Sequence, residues 1–198
     1  QQKAEYQQIA DICRWVAHKP PRTFREALQL TYFTHLGLQN EEVASGVAPG
    51  RLGQVLWPWY EQDIEAGRIT EDEVLELLEL QRVKFTAIDL FVSSGSNSVL
   101  MGNTFNNLCV GGLTRKGLPA CNRLEELILE AGKRLPSPQP TLSVLWDERL
   151  PEQFVLKCAE VVKTGTGYPA WMNNRVATDF LMQQYGDCLL YTSPSPRD

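Results

Sequence analysis

The chain has 198 residues, of which 43% are hydrophobic and 22% are charged, and its formal net charge is -5. This composition is that of a globular protein with one sizeable core. The negative charge gives no electrostatic footprint for nucleic acid or anionic lipid, and no apolar run approaches the length of a bilayer-spanning helix.

The cysteine pattern argues against a metal site. Five cysteines are scattered singly, there is no C-x-x-C pair, and the two histidines do not have ligand spacing. A zinc site or a disulfide framework is therefore not expected, and a reducing, cytoplasmic location is the default. The start has neither an initiator Met nor a secretory signal, and we interpret it as chain already in progress.

Two helices are predicted near the start of the chain. The first covers roughly Ala4 to His18, and the second runs from Thr23 to about Gln39, where Thr23 and Glu26 form a capping box. His35 lies inside this apolar helix and is predicted to be a packed histidine. The buried face of the second helix is expected to contain Phe24, Ala27, Leu28, Leu30 and Phe33.

A loop, a short helix and a long helix follow. Gly46, Pro49 and Gly50 indicate the loop, and Gly67 suits the left-handed position where a helix ends. A second capping box then starts a helix that runs from about Glu71 into the high 80s. This second capping box consists of Thr70 and Glu73. The apolar side of the long helix is predicted to contain Val74, Leu77, Leu78 and Val83.

From the Ser-, Gly- and Asn-rich stretch "SSGSNSVLMGNTFNN" onward, short strands are predicted to alternate with helices. That stretch is interpreted as a loop, followed by a strand over 107–111. The predicted elements that follow are, in order, a helix in "NRLEELILEAGKRL", a strand in "QPTLSVLW", a helix in "LPEQFVLKCAEVV", a loop in "TGTGYPAWMNN" and a further helix from "RVATDF". The alternation is typical of an α/β fold.

No motif reveals an activity by its spacing alone. Gly112 and Gly117 have the outer spacing of a P-loop, but Leu118 and Pro119 stand where Lys and Ser or Thr are required, so a plain turn is predicted. Cys109 and Cys158 are expected to be small buried hydrophobic residues. The aromatic cluster "WPWY" is open to two interpretations, pocket lining or aromatic core.

Four stretches, taken in order, resemble the pyruvate formate-lyase superfamily of glycyl radical enzymes. They are "PRTFREALQLTYF", "APGRLGQVLWPWYEQDIEAGRIT", "GNTFNNLCVGGLTRKGLPACNRLEELILEA" and "QPTLSVLWDERLPEQFVLKCAEVVKTGTGYPAWMNNRVA". The resemblance covers roughly residues 20–186. It implies a helix-rich, ten-stranded α/β barrel, of which this chain is expected to be a part that stops before the catalytic cysteine loop.

The resemblance also implies a radical mechanism. In this family a radical stored on a backbone glycine passes to a cysteine inside the barrel, and the resulting thiyl radical attacks a small organic substrate. An activating enzyme that uses S-adenosylmethionine and an iron–sulfur cluster installs the radical, and the intact enzyme is expected to form a homodimer. Neither the "GC-V-E"-like cysteine segment nor the "R-V-x-G-[YF]"-like loop occurs here. We therefore assign no catalytic residue, bound cofactor or metal ligand, and expect the chain alone to be inactive.

The last segment, "CLLYTSPSPRD", is interpreted as foreign to the protein. These residues are what a transposase mosaic end joined to a sequencing adapter encodes, so Cys188 is not a candidate for the radical cysteine. The expected organisation is therefore one partial pyruvate formate-lyase-like domain over 1–187 and an adapter-derived tail over 188–198.

The loop before Arg51 bears on the substrate. Ser45 and Gly46 stand where the polyol-dehydratase branch of the family has a His and a Ser that hold substrate hydroxyls. Gly46 has no side chain to donate, which disfavours a diol. Gly53 also replaces an Asp that is common in the family. Ser45, Gly46 and Trp57 are the predicted substrate-binding residues. Val47, Ala48 and the nearby tryptophans suit an apolar substrate, as in the arylacetate decarboxylases or the hydrocarbon-adding enzymes of the family.

Two further functions stay open on the sequence. The first is a catalytically inactive scaffold or interaction protein of the same fold, and the second is a nucleotide-binding α/β domain. The complete gene would distinguish the scaffold, which would lack the radical cysteine. A nucleotide titration would distinguish the binding domain, which would form a saturable complex.

Overall fold

A computed structural model describes residues 2–42, 47–88, 106–114 and 116–185. Every helix expected from the sequence is present there, and no helix in these ranges is long and apolar enough to cross a membrane. In chain order the elements are α1 (Gln2–Val16), α2 (Phe24–Glu42), α3 (Leu52–Val55), α4 (Trp57–Glu65), α5 (Glu71–Ile88), β1 (Asn107–Gly111), α6 (Arg123–Arg134), β2 (Thr141–Trp146), α7 (Glu152–Val162), β3 (Ala170–Asn173) and α8 (Asn174–Tyr185).

The two predicted capping boxes both mark helix starts, but their bonds differ. At α5, Thr70 Oγ1 accepts from the Glu73 N–H at 3.3 Å, and Glu73 Oε2 accepts from the Thr70 N–H at 2.8 Å. At α2, Thr23 Oγ1 accepts from the Glu26 N–H at 3.2 Å, whereas the Glu26 carboxylate accepts from the Arg22 N–H at 2.7 Å. Local sequence therefore locates both helix starts.

The three strands form a parallel sheet in the order β1-β2-β3. In the register, Asn107 lies opposite Thr141, and Val144 lies opposite Trp171. Helix α6 connects β1 to β2 and α7 connects β2 to β3, so the unit consists of two successive βαβ crossovers. This confirms the predicted α/β alternation.

Strand β3 corrects one prediction. The segment "TGTGYPAWMNN" was predicted to be a loop, but its residues Ala170–Asn173 pair with β2. Gly, Thr and Pro at its start give a turn-like local pattern, and the pairing that makes it a strand comes from a partner distant in sequence. Tertiary pairing overrides local preference in short strands such as this one.

The helices cover one face of the sheet. Leu108 and Val110 of β1 and Leu142 and Val144 of β2 point into this layer and are at most 3% exposed. They belong to one hydrophobic cluster that continues through α2, α4 and α5. From the helices, the cluster includes Phe24, Tyr60, Val74, Leu78, Leu124, Leu127, Ile128, Phe154 and Cys158.

The predicted buried residues are mostly, but not all, buried. His35 is 4% exposed and its ring centroid lies 4.5 Å from that of Phe85, which confirms a packed histidine. Cys109 and Cys158 are buried as predicted. Phe33 and Val83 were predicted on buried faces but are 39% and 50% exposed, while Leu30 and Leu77 are partly buried. Helical spacing defines a stripe, and residues at its margin reach solvent.

Arg82 of α5 joins this helix to the chain that leads into β2. Its guanidinium donates to the backbone carbonyl oxygens of Leu135, Ser137 and Pro140, each at 3.2 Å, and to the Tyr168 hydroxyl at 2.9 Å. The side chain is 2% exposed. A buried guanidinium with all these acceptors fixes the start of β2 relative to the helical layer.

Candidate functional site

The face of the sheet opposite the helices differs in chemistry from the covered face. Side chains alternate along a strand, so the residues between the buried Leu and Val positions point to the other side. On the first part of β1 and β2 these residues are Asn107, Cys109, Thr141 and Ser143. Strands of a buried parallel sheet are normally hydrophobic on both faces. Small polar side chains here therefore indicate a function other than packing.

These four residues form one hydrogen-bonded group, which we call the polar cluster. Asn107 Oδ1 accepts from Ser143 Oγ at 3.0 Å and from Thr141 Oγ1 at 3.3 Å, and Asn107 Nδ2 donates to Cys109 Sγ at 3.5 Å. Cys109 and Ser143 are buried, whereas Asn107 and Thr141 are partly exposed. Each hydroxyl keeps acceptor capacity, so the cluster can accept a hydrogen bond from a ligand.

The polar cluster is suited to binding rather than to acid–base chemistry. Burial raises the pKa of the Cys109 thiol, and the nearby Arg51 offsets this effect only in part. The thiol therefore stays protonated at neutral pH, and a protonated thiol is a poor nucleophile. Among the residues that the structure describes, no group of three or more His, Cys, Asp or Glu side chains could hold a metal ion.

A short segment lies along the outer edge of β1, next to the polar cluster. Gly50 forms a parallel bridge with Leu108: its N–H donates to the Asn107 carbonyl at 3.1 Å, and its carbonyl accepts from the Cys109 N–H at 2.8 Å. The φ angle of Gly50 is 64°, a value that disfavours other residues. The predicted loop before Arg51 therefore leads to the edge of the candidate site.

Arg51 fixes this segment at the carboxyl end of β1. Its Nη2 donates to the Gly111 carbonyl at 3.2 Å, and its Nη1 donates to the Leu113 carbonyl at 3.0 Å. Ser45 and Gly46, two of the predicted substrate-binding residues, lie outside the described residues, as do Cys188 and the proposed tail. Their roles therefore stay predictions.

Trp57, the third predicted substrate-binding residue, packs in the helical layer. Its ring centroid lies 5.2 Å from that of Tyr60, and it contacts the hydrophobic cluster. The Tyr60 hydroxyl donates to Glu71 at 3.1 Å, and burial, followed by the charge of Glu71, raises the pKa of Tyr60 to about 12. These contacts do not test a contact with substrate, so that role also stays a prediction.

The predicted turn after β1 is present. The Gly117 N–H donates to the Thr114 carbonyl at 2.9 Å, and Leu113 bridges Pro119 across the turn. Gly112 and Gly117 have φ angles of 74° and 73°, which explains both glycines by backbone conformation.

Sequence reasoning missed the polar cluster, although a signal for it exists. The strands read N-L-C-V and T-L-S-V, with polar or small residues at every second position. This alternation predicts one apolar and one polar face. What it does not give is the register that places Asn107 beside Ser143.

Comparison with known proteins adds the evolutionary context. A family model described as "Pyruvate formate lyase-like" matches residues 1–191. The 4-hydroxyphenylacetate decarboxylase glycyl radical subunit of Clostridioides difficile is 56% identical over 186 residues, which are 93% of this chain and 21% of that protein. The indoleacetate decarboxylase of Tractidigestivibacter scatoligenes is 40% identical over 186 residues, with the same coverage of 93% and 21%.

A solved structure gives the same result for the fold. The glycerol-bound form of the B12-independent glycerol dehydratase from Clostridium butyricum superposes with a TM-score of 0.85 at 32% sequence identity. The match covers 96% of this chain and 24% of that chain. The chain thus spans about a fifth of the length of the curated relatives it matches.

Proposed function

The chain belongs to the pyruvate formate lyase-like family of glycyl radical enzymes, and from this premise we propose that it forms part of the substrate cavity of an arylacetate decarboxylase. The observation that carries the proposal is the 56% identity to a subunit named for 4-hydroxyphenylacetate decarboxylation. A second relative is named for indoleacetate, a compound that, like 4-hydroxyphenylacetate, has a carboxymethyl group on an aromatic ring system. The proposed substrate class is therefore an arylacetate, with 4-hydroxyphenylacetate as the first compound to test.

The polar cluster supports a binding role for this chain. It is uncharged, and its hydroxyl groups can donate to or accept from a neutral group such as a phenol. A carboxylate is bound more strongly by cations or by several N–H donors, and Nη1 and Nη2 of Arg51, beside the cluster, already donate to two carbonyl oxygens. The cluster is thus proposed to contact a neutral hydrogen-bonding group of the substrate.

A dehydratase is the alternative that a specific observation favours, because a glycerol dehydratase is a close structural neighbour. Against a diol, Gly46 offers no hydroxyl at a position where the resemblance to the polyol-dehydratase branch implies a Ser that holds a substrate hydroxyl. Decarboxylation is the better-supported reaction.

The remaining parts of the reaction belong to the longer enzyme. We propose that its radical glycine, its reactive cysteine and the rest of a ten-stranded barrel enclose the substrate together with the face that carries the polar cluster. An activating enzyme that uses S-adenosylmethionine and an iron–sulfur cluster would install the radical, and a cytoplasmic homodimer would be the working form. Enclosure matters because a radical site must exclude water and competing reactants.

The test is an anaerobic assay of the complete gene product after activation. Release of labelled carbon dioxide from carboxyl-labelled 4-hydroxyphenylacetate is measured beside loss of glycerol under the same conditions. The proposal predicts carbon dioxide release and no consumption of glycerol. Consumption of glycerol without decarboxylation would replace the proposal by the dehydratase alternative, and a folded, activated protein inactive on both would overturn it.

A further inference from the structure

A fully buried carboxyl group lies beside the segment Gly50–Gln54, which runs along the outer edge of β1. Glu125, in the first turn of α6, is 0% exposed. Its N–H donates to Oδ1 of the helix cap Asn122 at 3.0 Å. A Glu at this position commonly turns back to the cap residue, but here the carboxyl group points across to two other elements.

Both oxygens of Glu125 accept hydrogen bonds from those elements. Oε2 accepts from the Gly111 N–H at the end of β1 at 2.8 Å, and Oε1 accepts from Gln54 Nε2 of α3 at 2.9 Å. Gln54 Nε2 also donates to the Ala120 carbonyl. A single side chain therefore connects α3, β1 and α6.

Gly53 makes room for this arrangement. A Cβ atom added at Gly53 would lie 2.4 Å from Glu125 Cγ, far inside van der Waals contact. The Gly53 carbonyl accepts from Asn122 Nδ2 at 3.1 Å, so the backbone of α3 lies directly on the start of α6. The missing side chain at position 53 and the buried carboxyl group are complementary.

We propose that Glu125 is a positioning residue whose carboxyl group fixes the Gly50–Gln54 segment against the carboxyl end of β1. This inference rests on the proposed function, because the segment borders the polar cluster and follows Ser45 and Gly46 in sequence. Gly111 is held from both sides: its N–H by Glu125 and its carbonyl by Arg51. Loss of the Glu125 acceptors frees one side of this arrangement and loosens the edge of the site.

The electrostatics of Glu125 provide a direct readout. Burial raises its pKa to about 7, against the opposing effects of Gln54, the Gly111 N–H and the Arg51 charge. The other titratable groups that face it are the thiols of Cys109, Cys121 and Cys158, whose pKa values burial also raises, so they stay neutral at pH 7. A titration seen here near pH 7 is therefore assigned to Glu125.

The experiment is a pH titration by NMR on the chain itself, without substrate. Val110–Gly111 is the only Val–Gly pair in the sequence, so selective labelling of valine carbonyl carbon and glycine nitrogen isolates the Gly111 amide. Its chemical shift is expected to change with a midpoint near pH 7. In Glu125→Gln, which keeps the size but offers one acceptor in place of two, this titration should disappear.

Hydrogen exchange of residues 50–56 supplies the second readout. In Glu125→Gln, these amides should exchange roughly tenfold faster, while those of α7 keep their rates. Glu126→Gln is the matched control: it alters the next residue, which pairs with Arg123 and Lys157 at the surface, and both readouts should stay as in the wild type. A circular-dichroism melt confirms that each variant is folded.

Two results would overturn the inference. One is a Gly111 titration that persists in Glu125→Gln, and the other is unchanged exchange of residues 50–56 in that variant. Neither measurement involves an arylacetate, so a failure here is distinct from a failure of the decarboxylase assay.

Discussion

Replacing Gly53 by Ala should destabilise the protein, although alanine is the better helix former. Gly53 lies in α3, where intrinsic helix propensity favours Ala over Gly by about 1 kcal/mol. The new methyl group would lie 2.4 Å from Glu125 Cγ. Overpacking of this kind costs about 1–3 kcal/mol, and displacing Glu125 loses hydrogen bonds to Gln54 and Gly111 at about 1 kcal/mol each. The expected net loss is about 2–4 kcal/mol.

Gly37→Ala is the matched control for this prediction. Gly37 lies within α2, and a Cβ atom added there meets nothing within 4 Å. The same Gly-to-Ala change should therefore stabilise the protein by about 0.5–1 kcal/mol. Urea unfolding followed by circular dichroism measures both variants, and a difference of about 2.5–5 kcal/mol between them is expected. If Gly53→Ala were as stable as Gly37→Ala, the close packing of Glu125 on α3 would be refuted.

Four further outcomes are expected. Arg82→Ala should lower the free energy of unfolding in urea by about 3–5 kcal/mol, because it removes the donor from three backbone carbonyl oxygens and the Tyr168 hydroxyl. An effect below about 1 kcal/mol would contradict this. The pKa of Glu125 is raised from 4.5 to about 7, so the stabilisation that it provides is present below pH 4.5 and is lost, by on the order of 3 kcal/mol, as the pH rises to about 7. The free energy of unfolding, measured across this pH range, should not show this loss in Glu125→Gln. Burial lowers the pKa of His35 from 6.5 to about 4, so the free energy of unfolding should decrease as the pH falls from 6.5 to 4. This decrease should remain in Glu125→Gln, in which the contribution of Glu125 is absent. A free energy of unfolding in that variant that does not change with pH would argue against it. In the complete enzyme, Ser143→Ala should raise KM roughly fivefold with little change in kcat, whereas Thr164→Ala, just after α7, should change neither.

The elements with strong local signals could be predicted from the sequence. Thr70 and Glu73 predicted the start of α5, and both hydrogen bonds of this capping box are present, since each side chain accepts from the backbone N–H of the other residue. Capping depends on residues three positions apart, so it is readable without knowledge of the fold. The same holds for Gly67, whose φ of 63° fits its place after α4.

The candidate site could not be predicted because it depends on contacts between distant residues. Asn107 and Ser143 are 36 positions apart and meet only through the register of β1 and β2. Glu125 and Gln54 are 71 positions apart, and no local pattern connects the start of α6 with Gly53. Strand β3 was missed for the same reason, because it pairs with β2, which is distant from it in the sequence.

Electron paramagnetic resonance determines whether this chain belongs to a working glycyl radical enzyme. The spectrum of the complete gene product is recorded under anaerobic conditions after treatment with its activating enzyme. An organic glycyl radical signal is expected, together with turnover of 4-hydroxyphenylacetate that depends on it. A folded protein that shows no such radical after activation, while a related enzyme treated in parallel does, would instead be an inactive scaffold.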